Sequence, residues 1–81
     1  PLTRVVIDKE LNHFVAFGNE KDRPIALEEI EAYLKSVEQA EPEMKVVLYA
    51  DETVPHGEVV KILNIANQNK FKLVIATRPM K

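Results

Sequence analysis

The 81-residue chain has no cysteine and no tryptophan, only two glycines and two histidines, and no long apolar run. Without cysteine, disulfides, zinc thiolates and thiol nucleophiles are excluded, and either cytoplasm or periplasm is compatible with the composition. Gly18 and Gly57 stand alone, so no glycine-rich phosphate cradle can be built from them. His13 and His56 lack the H-x-x-x-H or H-E-x-x-H spacing, and a zinc site needs three or four converging ligands. No G-x-S-x-G elbow surrounds Ser36, which falls inside a predicted helix. No segment approaches the roughly 18 apolar residues of a membrane span, and no signal-peptide pattern is present. The residues therefore predict no catalytic, metal or cofactor site.

A chain of this length is one domain in which only about 60–65% of the unfolded surface can be buried, so a partner surface would help it. Hydrophobic residues make up 46% and charged residues 30%, as in ordinary globular domains. The net charge of −2 argues against nucleic acid, which calls for a basic excess or stripe. The charge is unevenly placed. All thirteen acidic residues lie at or before Glu58, whereas Lys61, Lys70, Lys72, Arg78 and Lys81 follow it without an acid among them. That basic flank either faces an anionic partner or keeps an exposed strand soluble.

"TRVVID" (3–8) and "HFVAF" (13–17) are β-rich and joined by "KELN", which predicts a hairpin, and Asn12 tolerates the left-handed conformation that such a connector needs. "GNEKDRP" (18–24) reads as a charged loop. From Leu27 to Ala40, Ile30, Tyr33, Leu34 and Val37 follow helical spacing, with Glu28 and Glu29 in the first turn and Glu31 and Lys35 as an outer i, i+4 pair. "KVVLYA" (45–50) is a buried strand. A second helix runs from about Pro55 to Asn69, with Val59, Ile62, Leu63 and Ala66 as its stripe, and "FKLVIAT" (71–77) is the last strand. Strand, helix and strand make a right-handed βαβ unit. The order β-β-α-β-α-β predicts an α+β two-layer sandwich, a mixed sheet with both helices on one face. The strands are apolar on both faces, so the uncovered side would expose more hydrophobic surface than a monomer usually shows.

The segment "ADETVPHGEVVKI" (50–62) brings Asp51, Glu52 and His56 into one joint, where they either form a small acid/base site or turn a strand into a helix. The structural explanation is complete for most of it. Pro55 presets the backbone for the helix start, and Glu58 complements the helix dipole. Gly57 costs about 1 kcal/mol against alanine within a helix, and a close backbone neighbour would account for it.

The stretch "YADETVPHGEVVKILNIANQNKFKLVIAT" resembles the C-terminal periplasmic domain of the ExbD/TolR family of biopolymer transport proteins. The family pattern is met by Ala50, Asp51, Val54, Pro55, His56, Gly57, Val59, Val60, Lys72 and Leu73. Upstream, "VVIDKELNHFVAF" and "PIALEEIEAYL" resemble the opening hairpin and first helix. The chain departs from the pattern in the longer "GNEKDRP", in Ala26 where a serine commonly caps the helix, and in Asn69 or Lys70 where a glycine is usual, with Asn69 the better left-handed substitute.

The resemblance implies a single periplasmic domain, residues 1–81, of an inner-membrane protein whose N-terminal transmembrane helix is absent from this chain. Starting at Pro1 instead of methionine suggests a fragment or processed form. Such a domain has no enzymatic activity and no cofactor. It acts in a proton-motive-force-driven energy-transducing complex and couples a proton channel to a periplasmic effector. The implied partners are a second copy in a homodimer, a channel-forming ExbB/TolQ-like protein reached through the missing helix, and a TonB/TolA-like transducer or peptidoglycan. Candidate contact residues are Asp51, Pro55, His56, Gly57, Val60, Ile65, Lys72, Leu73, Val74 and Ile75, with the final strand offering its edge. For Val60 and Ile65 a wide core face is the competing explanation. The rival reading is a small cytoplasmic ligand-sensing or enzymatic α+β domain with Asp51 and His56 at a strand C-terminus, where ligands often bind.

Overall fold

A computed structural model describes residues 2–77. In chain order the elements are β1 (Leu2–Ile7), β2 (His13–Phe17), β3 (Arg23–Ile25), α1 (Leu27–Ala40), β4 (Lys45–Ala50), α2 (His56–Asn69) and β5 (Lys72–Thr77). They form the expected α+β sandwich, with a mixed five-stranded sheet of order β3-β2-β1-β4-β5. β1 pairs antiparallel with β2 and parallel with β4, and β4 pairs parallel with β5.

Strand alternation divides the side chains cleanly. Thr3, Val5 and Ile7 of β1 and Val46, Leu48 and Ala50 of β4 are buried on one face, where register sets Val5 between Val15 and Leu48. Ile30 and Leu34 of α1 and Ile62 and Ala66 of α2 close over the same face, so one core serves both helices. Each fully buried leucine or isoleucine contributes roughly 1.5–3 kcal/mol of burial free energy. Ile65 also packs against this core, whereas Leu63, expected on the stripe, is half-buried outside it.

The end of "GNEKDRP" opens a short strand, β3, that runs on to Ile25 and that the sequence concealed. Proline within a β run argues against a central strand, but β3 is an edge strand, where proline is tolerated. Arg4 holds this extension in place. Its guanidinium donates to the Gly18 carbonyl at 2.9 Å and the Glu20 carbonyl at 2.7 Å, and pairs with Asp22 at 3.4 Å. The arm crosses Ala16, its register partner on the face away from the helices, which is why that alanine is fully buried there. Gly18 sits at φ +61°, a left-handed turn position that suits glycine.

Three local expectations are corrected. In the β1–β2 turn it is Leu11, at φ 66°, that is left-handed, because Asn12 is engaged through its N–H and side-chain amide by the Asp8 carboxylate. At the end of α2 it is Lys70, at φ 58°, because the Asn69 side chain donates to the Ile65 carbonyl and to Glu31 of α1. Glu31 is thereby turned between the helices and makes no ion pair with Lys35. The surface pair of this kind is Glu58–Lys61, at 3.1 Å.

Two helix termini are built below their optimum. Ala26 has the extended backbone of an N-cap, φ −77° and ψ 148°, yet supplies no cap hydrogen bond, as the sequence led us to expect. Ala26→Ser, with Glu29 three residues on, completes a capping box and should raise unfolding free energy by about 1 kcal/mol. Lys70→Gly should add roughly 0.5–1 kcal/mol by relieving the left-handed penalty. Urea denaturation followed by circular dichroism measures both, and an unchanged midpoint would contradict the assigned terminus.

Candidate partner interface

The joint after β4 is built around Asp51. This residue is buried, 2% exposed, and its N–H donates to the Ile7 carbonyl at 3.2 Å, extending the β1–β4 ladder by one bond. Its carboxylate accepts from the Thr53 N–H at 2.8 Å and from the Thr53 hydroxyl, and its carbonyl accepts from Val54 at 2.9 Å. This is an Asx turn that bends the chain off the strand. Pro55 is the N-cap, at φ −58° and ψ 141°, one residue before the helix begins at His56. Asp51 and His56 border the same cleft of about 290 Å³, floored by Val54, Val59 and Ile75. Among the described residues, no group of histidines and carboxylates could hold a metal ion. Asp51 works on the turn, and His56 is exposed on the helix start.

A larger cleft, about 460 Å³, lies between β3 and α1 and gathers Arg23, Glu29 and Ser36. No histidine lines it, and the Arg23 guanidinium is stacked 5.3 Å from the Tyr33 ring centroid. That arrangement is a cation–π contact tying the edge strand to α1.

Among the described residues none supplies the close backbone neighbour expected at Gly57: a Cβ built there meets nothing within 4 Å. The residue is exposed, in the first turn of α2, where neither packing nor a positive φ calls for glycine. Of the other candidates, Pro55 is exposed, Val60 is half-buried outside the core cluster, and Ile65 belongs with the core. Lys72, Leu73, Val74 and Ile75 form one continuous edge.

β5 ends the sheet. Its neighbours Val74 and Ile75 point to opposite faces, yet are 58% and 43% exposed. On the helix side Leu73 still packs against the core, but the cover thins towards Ile75, and Val74 on the other face is exposed. Alternate residues of β5 also turn backbone N–H and C=O groups outward, away from β4. The opposite edge behaves differently. Pro24 faces Phe14 in the antiparallel register, and a residue without an N–H cannot form a hydrogen-bonded pair. Phe14–Pro24 is therefore the non-bonded pair, which turns the Pro24 nitrogen outward. Arg23 and Ile25 use their N–H groups on β2, so β3 offers no outward donor. Strand addition is possible at β5 and blocked at β3.

Away from the helices the sheet shows Leu2 and Val6 on β1, Phe14 on β2, Val47 and Tyr49 on β4, and Val74 and Ala76 on β5. Arg4 covers only the β2 side of this face. The family model for Biopolymer transport protein ExbD/TolR matches residues 2–80. The chain belongs to the ExbD/TolR family. Comparison with individual curated proteins gives no match. ExbD/TolR is a transport-associated family of energy transduction and not a family of enzymes, and membership implies a membrane-anchored protein. Among the described residues no helix is long and apolar enough to cross a membrane. In this ExbD/TolR domain the features hidden from sequence reasoning are the blocked β3 edge and the side-by-side placement of Lys45 and Lys72, both consequences of register.

Two outcomes follow for the loops at this end of the sheet. Gly57→Ala should raise unfolding free energy by roughly 0.5–1 kcal/mol, since the methyl has open space and alanine is the better helix former. A loss of stability in chemical denaturation would show that the glycine is required inside the fold. The Asp8 carboxyl is held below its ordinary value of 3.8, chiefly by the Asn12 N–H, then by the Asn12 side chain, the Glu10 N–H and the charge of His13. A lowered folded value means the stabilisation is complete above about 3.8 and is lost as pH falls through the folded value. Asp8→Asn should therefore flatten the acid side of a melting-temperature profile between about pH 2 and 5 while shifting its slope little near pH 7.

Proposed function

We propose that this ExbD/TolR domain is the periplasmic dimerisation and partner-binding module of an inner-membrane complex driven by the proton motive force. The observation that carries the reading is the β5 margin, where an unpaired strand edge and two exposed apolar side chains, Val74 and Ile75, coincide. An extended segment of a periplasmic effector of the TonB/TolA type adds there as a further strand, drawing main-chain hydrogen bonds from the edge and side-chain contacts from both faces. The apolar side of the sheet around Val6 and Val47, inward of the β5 edge, receives the second copy of the homodimer. The channel-forming ExbB/TolQ-like subunit is engaged through a membrane helix outside these 81 residues, and proton transfer belongs to that part of the complex.

The division of labour follows from what the domain offers. The Asp51 carboxylate is engaged by Thr53 in the turn, and we read coupling through the domain as mechanical, by contact made and released. A strand edge suits that task, because its hydrogen bonds form along a line and can be lost in sequence.

In cells expressing the full-length protein, a photo-crosslinking residue at Val74 should capture an effector, one at Val47 should capture a second copy, and one at exposed Gln39 should capture neither. Equal yields at all three positions, or none at Val74 and Val47, would sink the proposal. The coding sequence upstream of Pro1 gives a separate check. An apolar span of about 20 residues containing an aspartate supports the reading, and a polar start without one counts against it.

A further inference from the structure

The β5 edge carries a charge that no ion pair among the described residues answers. In the parallel register Lys72 lies directly beside Lys45, both exposed and both on the face away from the helices. Neither belongs to the ion pairs among the described residues, which are Arg4–Asp22 and Glu58–Lys61. Like charges set side by side in a sheet repel. A residue aligned with Lys72 on an added strand shares its face and stands next to it. A second copy pairing through its own β5 brings no carboxylate to that place, because no acid follows Glu58 in the sequence.

Three residues along, on the helix side, Ile75 is 43% exposed and forms the floor of the 290 Å³ cleft with Val54 and Val59. A side chain set beside Ile75 on an added strand extends over that cleft. We propose that the segment received by β5 is an acidic-apolar stretch of a different protein, with a carboxylate aligned to Lys72 and a large apolar side chain aligned to Ile75. The two positions are three residues apart and so fall on opposite faces of the incoming strand, as the two features require. This rests on the strand-addition reading above and specifies its ligand.

The test uses two labelled hexapeptides, Thr-Glu-Val-Thr-Leu-Thr and its reverse, which place the acid and the leucine correctly for parallel and antiparallel addition. Each is titrated by amide NMR into the chain, alongside versions with Gln or Lys in place of Glu and Ser in place of Leu. One acidic peptide should perturb β5 amides, and its Lys version should bind about three- to tenfold more weakly, the range for a partly exposed ion pair replaced by a like pair. Lys72→Glu should reverse that order, and Lys45→Gln should shrink the difference. If acidic, neutral and basic peptides perturb β5 with equal affinity, the charge assignment is overturned while strand addition stands. If the Ser version binds as well as the Leu version, the cleft assignment falls. If no peptide perturbs β5, strand addition itself fails and the inference with it.

Discussion

Everything in this fold is arranged around the difference between the two edges of one sheet. Five strands leave two margins, and each margin is a row of backbone groups that another chain can pair with. At β3 the row is three residues long and its outward nitrogen belongs to Pro24, which donates nothing. At β5 the row is six residues long and has no proline. Proline is therefore not incidental in the first edge, since it directs any intermolecular pairing to the second. The Arg4 clamp reinforces this choice. By anchoring residues 18–22 it fixes the short strand to β2 and covers the adjoining part of the sheet.

The small size of the domain explains why the remaining surface is so apolar. With 81 residues, two helices can cover one face of five strands but not both. The residues facing the helices include the fully buried Val5, Ile7, Val46 and Leu48, while Val6, Val47 and Val74 lie on the other side, over which no described element forms a layer. A parallel trio of strands is usually covered on both faces. Here β1, β4 and β5 are parallel and covered on one, so a protein–protein contact on the other is the economical way to complete the layer.

The elements and the sandwich were legible because they depend on periodicity, which is local. Ile30, Tyr33, Leu34 and Val37 announce α1 by spacing alone, and Pro42 marks its end. Register is not local. That Pro24 faces Phe14, or that Lys72 lies beside Lys45, follows from how strands distant in sequence align, and no spacing rule encodes it. The preference for asparagine at the left-handed positions fails for a related reason. Asn12 and Asn69 have the better intrinsic tolerance for that conformation, but each has its side chain engaged elsewhere, in Asp8 and in the α1–α2 contact. The strain then falls on Leu11 and Lys70, against propensity. Of the candidate site, the edge position of the last strand follows from the sequence reading, whereas no described residue supplies the close neighbour expected at Gly57.

Where a sequence breaks local rules without a gain inside the fold, the compensation is to be sought outside it. Gly57 in a helix with open space above it, Lys72 beside Lys45, and Val74 exposed on an edge are three such breaks. Two of them lie in one strand. The Lys45–Lys72 repulsion is modest, a few tenths of a kcal/mol at an exposed pair, and would not by itself unfold the domain. Its effect is selective. A strand edge accepts almost any extended chain, because main-chain hydrogen bonds do not read sequence. A charge at one end and an apolar cleft three residues away supply what the backbone lacks. They discriminate between incoming segments, and against a second β5, which offers only another lysine-led strand.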